Sequence, residues 1–576
     1  MSFFDDASLA FLPSGGAGKD TKAYSIKPTD GSGDFTFSRG SNLAATRVGP
    51  TGLIEKGREN LLLQSNQFDT TWSAGNFTFL DNQSDKDGGA NAWKATCSTT
   101  YNYLSQNFSG SGVYTFSGYF HKGDSDEGVR FNFSASADTN VYVDLTDGSS
   151  TDNGNLIYKS ITDAGNGFYK VVVSANLTSP TSIRFFVTNG GTTQVAGNIY
   201  IQEFQLELGL AATDYIESGA TTGKAGLLED EPRFDYSGGA TCPSLLLEPS
   251  RTNLITNSEY LNGISGLAKI GTSFDTNVTT SPEGLDNASL LKEDSSNGSH
   301  FAYIDFALTN GSTYTISIFA KAGGVNRNLK LGDGGVGWGS GFNGQFDLTA
   351  GTATGGTIEP MGSGWYRCSV TGTTNATSSR LIIYSTLNAS TSYQGDGTSG
   401  VYLYGFQLEE GSYPTSYIPN HSGGSVTRGA DDLSLTGVSS LIGQTEGTFF
   451  VDWEIIDQIG DRYISLISPN NRILFYRILA GVRVQITANA STIYDSATLN
   501  NIDGRNKLAV SYTSGDIKVY LNGSEAETST ATFTFSNPLS DFDFQFAGKD
   551  DKTRIYQCLT IPEALSGTDL ATLTTL

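Results

Sequence analysis

The sequence predicts an all-β protein made of tandem antiparallel β-sandwiches of the jelly-roll kind. Three observations predict it. First, the 576 residues include 69 glycines, and only 16% are charged, whereas a soluble domain usually has ~7% Gly and ~25% charged residues. Second, Phe (33) and Tyr (27) abound while Met is down to 2, a balance that suits strands and tight turns rather than helices. Third, short apolar–polar alternations such as Tyr314-Thr315-Ile316-Ser317-Ile318-Phe319 recur between clusters of Gly, Asn, Asp and Ser, which is the pattern of half-buried strands joined by turns. At about 150 residues per domain the length allows three or four domains.

The first segment, 1–58, starts Met-Ser-Phe-Phe-Asp-Asp and has neither a basic start nor a long apolar run. No signal peptide is expected from it. No stretch of about 18 apolar residues occurs along the chain, so no membrane-spanning helix is expected. Phe35-Thr36-Phe37 is a short strand candidate, and the segment is expected to be an ordered attachment arm.

A long internal repeat follows. Leu53-Ile54-Glu55-Lys56-Gly57-Arg58-Glu59-Asn60-Leu61 matches Leu246-Leu247-Glu248-Pro249-Ser250-Arg251-Thr252-Asn253-Leu254. Tyr114 to Tyr119 aligns with Tyr314 to Phe319, and Gly167-Phe168-Tyr169-Lys170 with Gly364-Trp365-Tyr366-Arg367. Phe204-Gln205-Leu206-Glu207 then aligns with Phe406-Gln407-Leu408-Glu409, each followed by Gly, Thr, Tyr and Ile at fixed spacing. The offset drifts slowly, as loop insertions between fixed strands would produce. Residues 59–218 and 251–419 are therefore read as two copies of one domain of roughly 160 residues, each large enough for its own core. Residues 219–250 form a connector containing Pro232-Arg233-Phe234-Asp235-Tyr236, and 420–438 a linker.

The region 439–576 differs from the repeats. Gly447 to Ile455 alternates as a strand. Leu508 to Tyr512 and Ile517 to Leu521 read as a hairpin, followed by an Asn522-Gly523 turn. Ser566 precedes Asp569 by three and predicts the N-cap of a short helix around Leu570–Leu573.

Two residue stretches carry a family resemblance. Pro232 to Tyr236, followed by Leu246 to Leu254, resembles a signature of tailed-bacteriophage structural proteins. A variant runs through Phe35-Thr36-Phe37-Ser38-Arg39, Ala45-Thr46-Arg47-Val48, Gly52-Leu53-Ile54-Glu55 and Asn60-Leu61-Leu62. The resemblance implies a tail-fibre or other virion appendage protein, made in the host cytoplasm. It further implies carbohydrate-binding-module-like jelly rolls in the two copies. The last region resembles concanavalin and laminin-G sandwiches, through Leu508 to Gly523, Arg554-Ile555-Tyr556 and Ala564-Leu565-Ser566.

Charge and motifs exclude several classes. With 35 basic and 59 acidic residues the chain carries a net charge of −24, which repels phosphate backbones, so no nucleic-acid partner is expected. Cys97, Cys242, Cys368 and Cys558 are too scattered for a disulfide framework or a zinc site and read as free thiols. His121, His300 and His421 belong to no catalytic motif. Acid pairs such as Glu409-Glu410 and Asp431-Asp432 cannot form a glycosidase pair by themselves, because neighbours on a strand point to opposite faces, and they read as solvated surface charge. No enzyme is expected. No cofactor is expected either, although the Asp-rich turns Ser84 to Gly88 and Gly123 to Glu127 offer oxygen ligands for calcium without EF-hand spacing.

Sugar binding needs exposed rings for the apolar faces of pyranoses. Trp338 in Gly337-Trp338-Gly339, Tyr303, and the pair Tyr101 and Tyr103 are the candidates. Phe168 and Trp365, at equivalent places in the copies, read as packing residues. The leading expectation is an exposed, oligomeric virion protein, a trimer by analogy with phage fibres, that contacts other virion proteins and binds host surface glycans. A purely structural capsid or tail decoration is the alternative, and a glycan depolymerase the second.

Overall fold

A computed structural model describes residues 3–14, 18–19, 21–40, 42–124, 127–339, 342–455, 463–478, 481–499, 504–544 and 552–576. All its large sheets are antiparallel, and the only α-helices among the described residues are Phe3–Asp6 and Gly567–Thr574. The fold is all-β, as expected.

The first copy packs two six-stranded sheets face to face. One contains Gly112–Lys122 between Phe168–Leu177 and Gly197–Leu208. The other contains Gly128–Ser134 between Thr139–Asp144 and Ser182–Thr188. Their facing side chains form an aromatic core around Phe116, Phe131, Phe185 and Phe204. The second copy repeats this plan. Thr313–Ala322 lies between Tyr366–Thr373 and Gly400–Glu410, and Ser378–Leu387 lies between Asn297–Ala307 and Arg327–Gly332. Even the irregularities repeat: the ladder slips after Ser117 in one copy and after Ser317 in the other. At the slip a residue takes a left-handed backbone, Glu203 at φ 52° and Gly405 at φ 61°, the mark of a β-bulge.

The repeated polar residues close each sandwich. Asn60 Nδ2 donates to the carbonyls of Phe204 and Ile216 at 3.0 and 2.9 Å. Asn253 does the same to Phe406 and Ile418 at 3.2 and 3.0 Å. Gln205 and Glu207 hold Ile216 and Thr213, and Gln407 and Glu409 hold Ile418 and Thr415. Buried backbone groups need partners, and these side chains supply them. Glu409 and Asp431 are thus buried structural acids, at 0% and 3% exposure, not the solvated surface charge that their neighbouring acids suggested.

The third sandwich corrects the expected division into arm, connector and last domain. Its two sheets have eight and nine strands. Leu9–Phe11 pairs with Thr553–Ile561, Leu9 lying opposite Thr560. Ser244–Leu247 pairs with the same edge of that strand further along, at Thr553–Ile555, the opposite edge being held by Glu446–Ile455, and Phe35–Ser38 pairs with Asp432–Leu435. Phe11, Phe35, Phe37, Leu245 and Leu247 share one core with Phe449, Trp453 and Phe475. Leu9–Phe11, Phe35–Ser38 and Ser244–Leu247 are therefore wall strands of this sandwich, while Thr46–Val48 and Ile54–Lys56 form a separate ribbon. Wall strands this apolar cannot lie on water, and they pair with strands of the third sandwich. The predicted hairpin joins Gly504–Thr513 to Asp516–Leu521, and Asn522 and Gly523, at φ 50° and 83°, make the tight turn that follows. Ser566 caps the last helix by accepting from Asp569 N. That helix runs longer than expected, because Leu570 and Leu573 bury against the sheet.

Two buried charge clusters join the sandwiches. In one, Arg233 Nη1 and Arg428 Nη1 share Glu248 Oε2 at 2.6 and 2.7 Å. Arg233 also pairs with Asp431, to which Arg39 donates from 3.3 Å. The segment from Pro232 to Leu254 is thus a structural hub: its Arg233 and Glu248 tie the second copy to the third sandwich. In the other, Lys56 lies 2.5 Å from Glu259 and 2.9 Å from Glu283, and Arg58 lies 2.9 Å from Glu283. Here Ile54 covers Phe319, Trp365, Tyr404 and Tyr417 on the outer face of the second copy.

The thiols follow from burial. Cys97, Cys368 and Cys558 are buried and Cys242 is exposed. Burial pushes the Cys368 and Cys558 thiols far up, and the thiolate is the reactive form. Native iodoacetamide treatment followed by mass spectrometry is expected to label Cys242 alone, with the other three labelled only after unfolding.

Candidate functional site

In the first copy, the strands of the second sheet turn Phe131, Phe133, Val141, Val143, Ile183 and Phe185 into the core. Side chains alternate along a strand, so Arg130, Asn132, Asn140, Tyr142, Arg184 and Phe186 point outward. Register sets them in rows. Tyr142 lies opposite Arg130, and Arg130 opposite Phe186. The Arg130 guanidinium sits 5.9 Å from the Tyr142 ring and 4.5 Å from the Phe186 ring. Tyr103 stands 5.2 Å from Phe186, and Arg184 covers Tyr103 at 5.1 Å. The result is a ladder of rings and guanidinium planes across three strands and the residue that leads into a fourth, held by cation–π attraction. A polar row of Asn140, Asn132, Arg184 and Ser105 runs beside it.

The second copy builds the same row from other residues. Ile270 pairs with Phe301, Phe301 with Tyr384, Tyr384 with Lys330, and Lys330 with Gln345. Phe301 and Tyr384 are 5.1 Å apart, and Lys330 Nζ lies 5.7 Å from the Tyr384 ring. Burial raises the Tyr384 hydroxyl pKa. On the flank, Arg380 lies 4.6 Å from the Tyr303 ring and binds Asp305 through two contacts of 2.7 and 2.9 Å. Ile270 is 48% exposed, so the row ends on an open apolar edge.

Of the four residues proposed from sequence, Trp338 needs correction. It is only 5% exposed, lies face to face with Phe342 at 3.8 Å, and donates Nε1 to Arg380 O at 2.7 Å. Its glycines serve the turn, Gly337 having φ 79°, and its ring fills the second core. Tyr303 lies half-buried on the flank of the second platform. Tyr103 is in the first platform. Tyr101, 80% exposed, stands in a turn at φ 66°, so the two tyrosines do not share a strand face. Phe168 and Trp365 are both buried at 2%.

Sequence reasoning passed over Arg130, Arg184, Phe186, Phe301, Lys330 and Tyr384. The available signal was a ring or cation at alternate positions, as in Arg184 and Phe186 or Arg380 and Tyr384, where a solvated face carries Ser or Thr.

The turns considered for calcium are committed elsewhere. Asp85 accepts from the backbone N–H groups of Asp87, Gly89 and Asn91 at 2.9, 2.7 and 3.0 Å. Asp124 takes Lys94 and Asn198, and Ser125 and Asp126 lie outside the described residues. Among the described residues no three His, Cys, Asp or Glu side chains are grouped to hold a metal, and no helix is long and apolar enough to cross a membrane.

A cleft of about 400 Å³ lies between the copies, lined by Lys56, Arg58, Glu207 and His421 among others. Burial pulls the His421 imidazole down to about 4, against the pull of Glu259, whose Oε1 is 3.7 Å away. His421 O also accepts from Val113 N at 2.9 Å, so this residue ties the copies together.

No protein-family model matches the chain, and no curated protein matches it. Solved structures show a weak likeness to this chain. The CBM40 domain of the Ruminococcus gnavus IT-sialidase, bound to α2,3-sialyllactose, is 14% identical, covering 24% of this chain and 91% of its own with a TM-score of 0.21. The tandem CBM22 domains of Paenibacillus barcinonensis Xyn10C are 15% identical, covering 61% and 98% with a TM-score of 0.22. The LG1–3 region of the laminin α2 chain is 9% identical, covering 81% and 96% with a TM-score of 0.14. Likenesses of this degree carry nothing about ligands.

Proposed function

We propose that the protein is a non-enzymatic, glycan-binding adhesin of a bacteriophage particle, exposed as a fibre, spike or decoration. The observation that carries the glycan reading is internal: both copies set an aromatic and cationic row on the same outward sheet, using different residues. Rings of this kind stack on the apolar faces of pyranoses, and the adjacent amides and cations take hydroxyl groups. Packing alone does not require that chemistry to recur on a solvent face. Two linked platforms, multiplied by copy number in a trimer, turn weak sites into useful avidity.

The virion reading is supported by the signature around Arg233 and Glu248 and by its variant near Arg39. Electron microscopy of particles labelled with antibody against this chain tests it: label on head or tail is expected, and unlabelled particles overturn it.

Retardation of the full chain in gels containing polysaccharides tests the glycan reading. Tyr103→Ala and Tyr384→Ala are each expected to weaken binding about 5- to 10-fold, on the order of 1 kcal/mol per ring, and together to abolish avidity. No retardation by any polysaccharide, even with oligomerised protein, returns the chain to a purely structural decoration. Release of new reducing ends would make it a depolymerase.

A further inference from the structure

Resting on the glycan reading, the geometry points to a ligand class for the first platform: we propose that it selects polysaccharides bearing carboxylates, of the uronic acid kind. Acidic residues outnumber basic ones 59 to 35 in this chain, so a cation without an acidic neighbour stands out. Arg130 and Arg184 have no carboxylate partner among the described residues, yet they lie on one face of adjacent strands.

Both guanidinium groups are oriented but not saturated. Arg130 uses Nε and Nη2 on Asn140 Oδ1 at 3.0 and 2.8 Å, which leaves Nη1. Arg184 uses Nε on Ser182 Oγ at 3.0 Å, which leaves both amino groups. The planes are fixed by the rings they cover, Phe186 and Tyr103. A fixed planar fork matches a planar carboxylate through two hydrogen bonds. Beside them Asn132, 1% exposed, steadies the row by donating Nδ2 to Asn140 Oδ1 at 3.0 Å. The second platform differs. Its arginine is already occupied by Asp305, leaving Lys330, a point charge without a fork. The two copies thus divide the work: the first holds the acidic sugar and the second takes the neighbouring apolar sugar faces.

The full chain is run in gels containing polygalacturonate, its carboxyl-reduced neutral form, or dextran sulfate. Polygalacturonate is expected to bind at least about tenfold more tightly than the reduced polymer at low salt, with the preference shrinking as salt rises. Arg184→Gln is expected to remove most of that preference, weakening binding of polygalacturonate far more than binding of the reduced polymer. Arg184→Lys is expected to restore it only in part. Circular dichroism checks that the variants fold, and Arg130→Gln supplies a second test if one does not. Equal binding of acidic and reduced polymers overturns this inference and leaves the glycan reading standing. Equal binding of polygalacturonate and dextran sulfate overturns it as well, since charge without carboxylate geometry would then suffice. Failure to bind any of the three, or any neutral glycan, overturns both.

Discussion

Glu248→Ala is expected to destabilise the protein by about 3–5 kcal/mol, the usual cost of removing one partner from a buried ion cluster. Glu248 is 2% exposed. Its carboxylate takes Arg233, Arg428, the Ser416 hydroxyl and the Ser416 N–H, and Lys552 lies 3.6 Å away. Burial alone would raise its pKa, but Arg428, Arg233 and Lys552 outweigh that and hold the carboxyl well below the usual range. Without it Arg233, Arg428 and Lys552 lose their shared carboxylate, and Asp431 is already paired with Arg39. The urea midpoint of the unfolding transition measures the loss. A shift worth less than about 1 kcal/mol would show that water screens the hub. Replacing Arg233 and Glu248 together by apolar residues of similar volume is expected to cost less than Glu248→Ala alone, because no charge is then stranded.

Acid is expected to loosen the junction between the two copies between about pH 6.5 and 4, well before carboxylates titrate. His421 is held down to about 4 by burial, with Lys56 and Arg58 adding to the effect and Glu259 and Glu283 opposing it. Below pH 6.5 the unfolded chain protonates this histidine and the folded chain does not. Unfolding then takes up a proton, so stability falls as pH falls. Below about 4 both states are protonated and the loss from His421 stops, at on the order of 3 kcal/mol. The cluster acids come later. Glu259 and Glu283 lie below the usual carboxylate range: burial would raise them, and Lys56, Arg58 and His421 pull them down. Their contribution is intact above about pH 4.3 and is lost only as pH falls further. Thermal unfolding across pH 4–8 reads the slope, and His421→Gln is expected to flatten it above pH 4.5. A slope unchanged in that variant would assign the effect elsewhere.

Much of this molecule is legible in its sequence. The Asn and Gln-Leu-Glu positions of the repeat are legible because each copy needs the same side chains to satisfy the same buried backbone groups. The Asn522-Gly523 turn and the Ser566 cap are legible because both are local and depend on residues a few positions apart. The platforms are not. Arg130, Tyr142 and Phe186 come from three strands and Tyr103 from just before a fourth, and only cross-strand register brings them into one row. Trp338 misled for a related reason: flanking glycines say that the backbone turns, not which way the ring then points.

By itself the sequence determined the all-β class, the doubled domain and the supply of rings and cations, since composition, period and local turn chemistry are properties of the chain. Tertiary structure alone decided that Leu9 meets Thr560, that Arg233 and Glu248 lie in a buried hub, and that one face of each copy stays open. Alternation states that a strand has two faces. Which face meets a core depends on residues hundreds of positions away, and only packing chooses between them.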